Sequence, residues 1–222
     1  MVSRRLTAIV AAIALCIAGA AFAPAALAKD PILFVHGWSE SASAWKTMIA
    51  NFEKDGYAKS ELSAYSYNTS TSNKTTAETE VKSRVEALKK ATGAAKVDII
   101  AHSMGSLNTR WYIKFVAGGE ANVDDWVSLG GPNHGTDFAN LCFSTACVEM
   151  RVGSKFLAEL NAGDETPGAV NYGTWWSPCD EIINPDSSVA LSGATNTQTA
   201  CISHAALRTD ATVYSQVREF VK

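Results

Sequence analysis

One serine of the chain has surroundings that are typical of a nucleophile. Ser103 lies between two small residues, Ala101 and Gly105, directly after the β-forming run 97–100 and before an amphipathic stretch. The spacing is that of G-x-S-x-G with alanine at the first position, and small residues there permit a sharp strand-to-helix turn that exposes the hydroxyl. Such a corner indicates attack on a carbonyl carbon. An ordinary helix N-cap is the alternative explanation for Ser103.

A serine hydroxyl attacks a carbonyl group efficiently only when a base removes its proton. The chain has four histidines, and in folds with this type of turn the base follows both the serine and the acid in the sequence. His204 meets that requirement, because it lies late in the chain, between a predicted last strand and the closing helix. His134, which follows a Gly-Gly-Pro run, is the competing candidate.

The base in turn needs a carboxylate that orients it. Asp180 follows the aromatic end of a predicted strand, and ligand sites form at the carboxyl ends of parallel strands. Glu181 and Asp186 stay open as alternatives. We expect Asp180 to hold the tautomer of His204 while His204 removes the proton of Ser103.

Acyl transfer also needs backbone donors for the negative oxygen that develops on the carbonyl group. One is the amide of the residue after the nucleophile, Met104, and the other comes from the loop after the first strand. That loop has the sequence His-Gly-Trp, and Gly37 lets the backbone turn the next amide inward. We therefore expect the amides of Trp38 and Met104 to form an oxyanion hole, although a simple glycine turn also explains Gly37.

Four cysteines follow residue 28, an even number that predicts disulfides in an exported chain. They are Cys142, Cys147, Cys179 and Cys201. If Asp180 touches His204, their neighbours Cys179 and Cys201 come within bridging distance, which leaves Cys142 to pair with Cys147. A zinc site is the alternative, but the cysteine spacing does not favour it.

Strands alternate with helices along the chain, and this alternation predicts a mostly parallel sheet of about six strands with helices on both faces. The sequence indicates an α/β class and no large cap domain. The predicted strands span residues 31–35, 62–67, 97–101, 126–129, 170–176 and 199–203. The predicted helices span residues 42–54, 81–92, 103–116, 155–160 and 211–221.

Residues 1–28 have the composition of a secretory signal peptide. Arg4 and Arg5 precede an apolar run that is shorter than the roughly 20 residues needed to span a bilayer. An A-x-A cleavage site ends at Ala28. Residues 29–222 then form one catalytic domain. The formal net charge of −3 and the absence of a basic run argue against nucleic acid partners.

Three stretches carry a resemblance to a known family. They are ILFVHGW at residues 32–38, KVDIIAHSMGSLNTRWYIK at residues 96–114 and WVSLGGPN at residues 126–133. With the acid and histidine in this order, the chain resembles the compact bacterial class 2 lipases. These are secreted esterases with a minimal α/β-hydrolase fold, and the resemblance covers most of residues 31–222.

The resemblance implies a serine carboxylester hydrolase that acts on lipid esters, with Ser103, Asp180 and His204 as the triad. No metal cluster or cofactor motif appears in the sequence, so we expect neither a metal nor another cofactor. The resemblance also implies a secreted monomer whose substrate lies at a lipid–water interface. Trp38 is bulkier than the small aliphatic residue that is usual at its position in the family. The segment 132–169 is longer than the corresponding segment of the smallest members and is a candidate for a short lid.

Two other functions are compatible with these motifs. An extracellular depolymerase of bacterial polyester can share the AHSMG turn, and a polyester film distinguishes it from a lipase. A non-catalytic binding domain on a hydrolase scaffold is the alternative of another class. The presence of Ser103, Asp180 and His204 in chain order argues against that second alternative.

Overall fold

A single six-stranded sheet forms the centre of the protein in the computed structural model, which describes residues 29–221. All strand pairs are parallel, and the strand order is β2-β1-β3-β4-β5-β6. The strands are β1 (Ile32–Val35), β2 (Leu62–Tyr65), β3 (Val97–His102), β4 (Val123–Leu129), β5 (Asn171–Trp176) and β6 (Thr195–Gln198). The expected signal peptide lies outside the described residues.

Helices connect the strands. They are α1 (Lys46–Lys54), α2 (Asn73–Thr76), α3 (Lys82–Thr92), α4 (Gly105–Phe115), α5 (Gly119–Asn122), α6 (Thr145–Met150), α7 (Lys155–Leu160) and α8 (Ala211–Phe220). Short 3-10 turns include Ala42–Trp45, Asp137–Leu141 and Ala205–Arg208, and Ala77–Val81 is a π-turn that joins α2 to α3. Within residues 29–221, no helix combines the length and hydrophobicity needed to cross a bilayer.

Helices cover the sheet on both faces because side chains alternate along each strand. In β1, Leu33 and Val35 belong to one buried cluster, which also contains side chains of α3 and α4. Ile32 and Phe34 belong to the opposite cluster, which also contains side chains of α1 and α8. The predicted α/β class with a parallel sheet is thus confirmed, and no large cap domain is evident in the described part of the chain.

The sixth strand is displaced from its predicted position. Residues 199–203 form no strand, and β6 instead comprises Thr195–Gln198, which pairs with β5 at the sheet edge. Its four residues are polar and mostly exposed, so the hydrophobic pattern that reveals a buried strand is absent. Residues 199–203 turn back towards β5, where Ser177 Oγ donates to the carbonyl oxygen of Ile202 at 2.6 Å.

Three carboxylates converge at the amino ends of the strands, at the edge opposite Ser103. Oxygens of Asp30, Asp98 and Asp124 lie within 4.8 Å of one another. Asp98 is buried, and its Oδ1 accepts a hydrogen bond from the amide of Asp125 at 3.1 Å. Burial, followed by the charge of Asp125, raises the pKa of Asp98 to about 9, so its carboxyl is protonated at neutral pH.

Replacing Asp98 with asparagine should stabilise the protein above pH 7. The folded protein holds a proton on Asp98 that the unfolded chain releases, so the contribution of Asp98 to stability falls as pH rises from about 4 towards about 9. Asparagine keeps the acceptor for the Asp125 amide. We expect a gain of about 1–3 kcal/mol at pH 8 and a smaller one at pH 5.

Urea unfolding at the two pH values measures this difference. The exposed Asp137→Asn serves as control and should change stability at neither pH. An equal effect of Asp98→Asn at pH 5 and pH 8 would contradict the assignment of a protonated Asp98.

Candidate active site

The turn between β3 and α4 presents Ser103 at the carboxyl edge of the sheet. Ser103 has a φ of 54°, and its amide donates to the carbonyl oxygen of Leu129 at 3.0 Å. A Cβ at Gly105 would lie 2.5 Å from the carbonyl oxygen of Val35, so only glycine fits where the turn passes β1. Positive φ at a serine is strained, and strain of this kind concentrates at functional sites.

The structure places His204 and Asp180 in direct contact, although they are 24 residues apart in the sequence. His204 Nδ1 lies 2.7 Å from Asp180 Oδ2. The other oxygen of Asp180 accepts hydrogen bonds from the amides of Ile182 and Ile183, both at 2.9 Å. The backbone amide of His204 donates to Glu181 Oε2 at 3.0 Å. Both oxygens of Asp180 are therefore held by hydrogen bonds, and Oδ2 contacts the His204 ring only at Nδ1.

Asp180 is ionised at neutral pH despite its burial. Burial alone would raise the pKa of its carboxyl, but the hydrogen bond and charge of His204 and the two backbone amides outweigh this and leave the pKa below its usual value. A carboxylate acceptor at Nδ1 fixes the proton of a neutral His204 on that nitrogen. The opposite nitrogen, Nε2, is then free to accept a proton.

Disulfides join the segments that carry these residues. Cys179 is bonded to Cys201, with a Cα–Cα distance of 5.0 Å, next to Asp180 and three residues before His204. Cys142 is bonded to Cys147 in the segment after β4. These are the two pairs expected from the sequence. The first ties the two active-site loops covalently.

The loop after β1 approaches Ser103 closely. A Cβ at Gly37 would lie 2.8 Å from Ser103 Cβ and 3.3 Å from its Oγ. Tyr67 Oη donates to the carbonyl oxygen of His36 at 2.7 Å, and this bond holds the residue before Gly37 in place. Within residues 29–221, the amides of Trp38 and Met104 donate to no protein acceptor. Both amides thus stay available beside the serine.

Replacing Gly37 with alanine should strongly reduce turnover. The new methyl group would overlap Ser103 Cβ, so the loop or the serine must shift. Since displacing reacting groups by about 1 Å can cost about 10²-fold in rate, we expect a kcat lower by about that factor. Steady-state kinetics on a soluble ester measures the effect.

Gly93→Ala is the matched control for this substitution. Gly93 has a φ of 75° at the end of α3, and nothing lies within 4 Å of its added Cβ. It should lose about 1 kcal/mol of stability and no turnover. Equal kcat values for Gly37→Ala and the wild type would show that the loop does not need to sit against Ser103.

Ser103 and His204 line one cavity of about 230 Å³. Its wall is mainly apolar, and the remaining lining residues are Trp38, Ser39, Glu40, His102, Thr136, Phe138, Met150, Ile182 and Ile183. In the described part of the chain, the two non-glycine residues with positive φ are Ser39 and Ser103, and both line it. Apolar walls around a few polar groups suit a substrate with an acyl chain.

Other residues considered from the sequence lie elsewhere or have different partners. His134 Nε2 lies 2.7 Å from Glu165 Oε1, and His134 does not line the cavity. Sequence analysis missed Glu40, which lies in the cavity wall and contacts both the loop after β1 and His102. The motif HGW ends two residues before Glu40, so the motif gave no signal for it.

The fold and the site geometry define an α/β-hydrolase, and comparison with solved structures agrees. Lipase BlEst2 of Bacillus licheniformis, in its mature form, has a TM-score of 0.77 at 18% identity, with 89% of this chain and 94% of that chain covered. Lipase B of Aspergillus fumigatus has a TM-score of 0.72 at 17% identity, with 85% and 51% covered. The metagenomic carboxyl esterase MGS0156 has a TM-score of 0.66 at 12% identity, with 79% and 65% covered.

Residues 29–219 match the family Lipase (class 2), and the chain belongs to this family. The resemblance found in the sequence is thereby confirmed. Family and fold together support hydrolysis of lipid esters.

Proposed function

We propose that the chain is a secreted serine carboxylester hydrolase that cleaves acylglycerols or similar lipid esters through an acyl-enzyme on Ser103. The observation that carries this proposal is the 2.7 Å contact between His204 Nδ1 and Asp180 Oδ2 beside Ser103 in an apolar cavity. The carboxylate fixes one ring nitrogen, which leaves Nε2 to act on the serine. The nucleophile, the acid and the base follow one another along the chain in that order, as in α/β-hydrolases.

The mechanism proceeds in two halves. Ser103 Oγ attacks the ester carbonyl carbon while His204 Nε2 takes the hydroxyl proton, and Asp180 stabilises the resulting imidazolium. The amides of Trp38 and Met104 donate to the oxyanion. The tetrahedral intermediate expels the alcohol, which receives the proton from His204 and leaves an acyl group on Ser103. Water, deprotonated by the same histidine, then releases the acid and restores the hydroxyl.

Secretion is part of the proposal and rests on residues 1–28 together with the disulfides. Two disulfides within the described residues suit an oxidising compartment. The described residues also form one sheet with its own core, which supports one catalytic domain over residues 29–222.

The size of the cavity favours short acyl chains. The cavity beside Ser103 has a volume of about 230 Å³ and mainly apolar walls, which suit the first carbons of an acyl chain. Butyryl esters fit within that space, whereas a palmitoyl chain must extend beyond it. Turnover of p-nitrophenyl butyrate and palmitate by the purified chain from residue 29 tests the proposal. Clearing of a polyester film without turnover of either ester would favour the depolymerase alternative.

Exposed apolar side chains in the segment 138–152 suit the protein to a lipid–water interface. Residues 138–152 carry Phe138 and Met150 into the cavity wall, and the same segment exposes Leu141 by 74% and Phe143 by 84%. Large exposed apolar side chains concentrated in one segment mark an interaction site. Because this segment also lines the cavity, we propose that its exposed side chains contact the surface of aggregated ester substrate.

The double substitution Leu141→Ser and Phe143→Ser should separate interface binding from catalysis. Each apolar side chain gains about 1.5–3 kcal/mol when it leaves water. Turnover of a tributyrin emulsion should therefore fall about tenfold or more, while turnover of dissolved p-nitrophenyl butyrate stays unchanged.

The control is Phe115→Ser, an exposed aromatic at the far end of α4 from Ser103. It should leave emulsion turnover unchanged. Equal emulsion turnover of the double variant and the wild type would rule out residues 138–152 as the lipid-binding surface.

A further inference from the structure

A partly buried polar network connects the loop after β1 to the loop that carries His204. Glu40 is its centre, because one carboxylate oxygen, Oε2, accepts from the amide of Gly37 at 3.0 Å and lies 3.2 Å from His102 Nδ1. The other oxygen, Oε1, lies 2.7 Å from Arg208 Nη2. His102 completes the link, since its Nε2 lies 3.1 Å from the carbonyl oxygen of His204.

The network contacts both the loop of the proposed oxyanion donor Trp38 and the loop of the proposed base His204. Gly37 directly precedes Trp38, whose amide is a proposed oxyanion donor, so a fixed Gly37 amide restrains the peptide that follows. His102 directly precedes Ser103, and its ring centroid lies 4.5 Å from that of His204, with the two rings tilted by 43°. Three chain segments that are distant in sequence therefore meet at one carboxylate.

At neutral pH Glu40 is ionised and His102 is uncharged. Burial would raise the pKa of Glu40, but His102, Arg208 and the Gly37 amide outweigh it and lower the pKa to about 2. Burial, followed by the charge of His204, lowers the pKa of His102 to about 4, so its ring is neutral at pH 7. The anion thus has a permanent partner in Arg208, and no second imidazolium competes with a protonated His204.

We propose that Glu40 is a positioning residue for ester hydrolysis, which holds the Trp38 amide and the His204 loop in register with Ser103. This role rests on the proposed serine-hydrolase function. Glu40 contributes no atom to the reaction in this scheme. Its effect falls on the transition state, because the oxyanion donors and the imidazolium act most strongly there.

Glu40→Gln tests the role with little change of shape. The amide side chain can still accept from the Gly37 amide, but it lacks the negative charge that pairs with Arg208 and lies next to His102. We expect kcat for p-nitrophenyl butyrate to fall about 10- to 100-fold while KM changes less than about threefold. The affinity for butylboronic acid should fall by the same factor as kcat. Its boron binds the serine oxygen as a tetrahedral adduct while His204 takes the proton.

Glu61→Gln is the matched control. Glu61 Oε2 accepts from the amide of Ala58 at 2.7 Å, which is the same three-residue arrangement away from the cavity. Its kcat and boronate affinity should equal those of the wild type. If Glu40→Gln is recovered unfolded, Glu40→Asp tests the positioning role instead, because it keeps the charge and shortens the side chain by one carbon. It should show the same parallel loss of kcat and boronate affinity.

The outcomes separate this proposal from the one on which it rests. Unchanged kcat and boronate affinity in folded Glu40→Gln, or a loss confined to thermal stability, overturns the positioning role while Ser103→Ala remains inactive. Turnover that survives Ser103→Ala overturns the proposed function itself, and the positioning role with it. A parallel loss of kcat and boronate affinity in Glu40→Gln, with Glu61→Gln unaffected, supports the positioning role.

Discussion

Replacing Ser103 with alanine should reduce kcat on p-nitrophenyl butyrate by about 10⁴- to 10⁶-fold, the range seen when an activated serine is removed from a triad. Alanine removes the Oγ that attacks the carbonyl group and leaves the rest of the cavity in place. The amide of residue 103 still donates to Leu129. Residual turnover should therefore reflect the oxyanion donors and substrate binding alone.

The fold of this variant should be unaffected, which makes the loss interpretable. Ser103 is buried and its strained φ of 54° is equally accessible to alanine, so we expect a melting temperature close to that of the wild type. Ser106→Ala is a useful control, because Ser106 bonds to Ser128 at 2.8 Å beneath the turn. It should lose stability but retain most turnover. A Ser103→Ala variant with more than about a tenth of wild-type kcat would contradict the assigned nucleophile.

Asp180→Asn should reduce kcat by about 10⁴-fold with little change in structure. The amide can keep the contacts to Ile182 and Ile183 through its oxygen, but its nitrogen then faces His204 Nδ1 as a donor. The ring must carry its proton on Nε2, the nitrogen that should accept from Ser103. The loss arises from the wrong tautomer and from an imidazolium without a counter-charge.

Asp210 offers a matched control for Asp180. Its Oδ1 accepts from the amides of Thr212 and Val213 at 2.8 and 3.0 Å, in the same pattern of two following amides, but at the start of α8. Asp210→Asn should cost about 0.5–2 kcal/mol of stability at most and leave kcat unchanged. Comparable kcat losses in both variants would indicate that the effect of Asp180→Asn comes from destabilised loops.

The sequence predicted those features that depend on local patterns. The turn at Ser103 is encoded by neighbours within two residues, and α3 ends at Thr92, where the predicted helix ends, because Gly93 follows it with a φ of 75°. The contact of Asp180 with His204 was predictable from the chain order and from the cysteines that flank both residues, although the strand predicted directly before His204 does not form.

Features that depend on packing between distant segments were not predictable in this way. Glu40 is a single acid in a loop, and its role is visible only once β1, β3 and the residues after β6 are assembled. The polar strand Thr195–Gln198 has no hydrophobic alternation, so its pairing with β5 is what defines it. The high pKa of Asp98 likewise results from burial and then from the charge of Asp125 on the neighbouring strand.

The acyl-enzyme on Ser103 is the central claim, and trapping it is the most direct measurement. Wild-type protein mixed with p-nitrophenyl butyrate and quenched in acid within milliseconds should show one added butyryl group by intact mass, mapped by peptide sequencing to Ser103. The Asp180→Asn variant should accumulate the adduct more slowly, and Ser103→Ala should show none. Rapid release of p-nitrophenol without any butyryl group on Ser103, or with the group on another residue, would contradict the account.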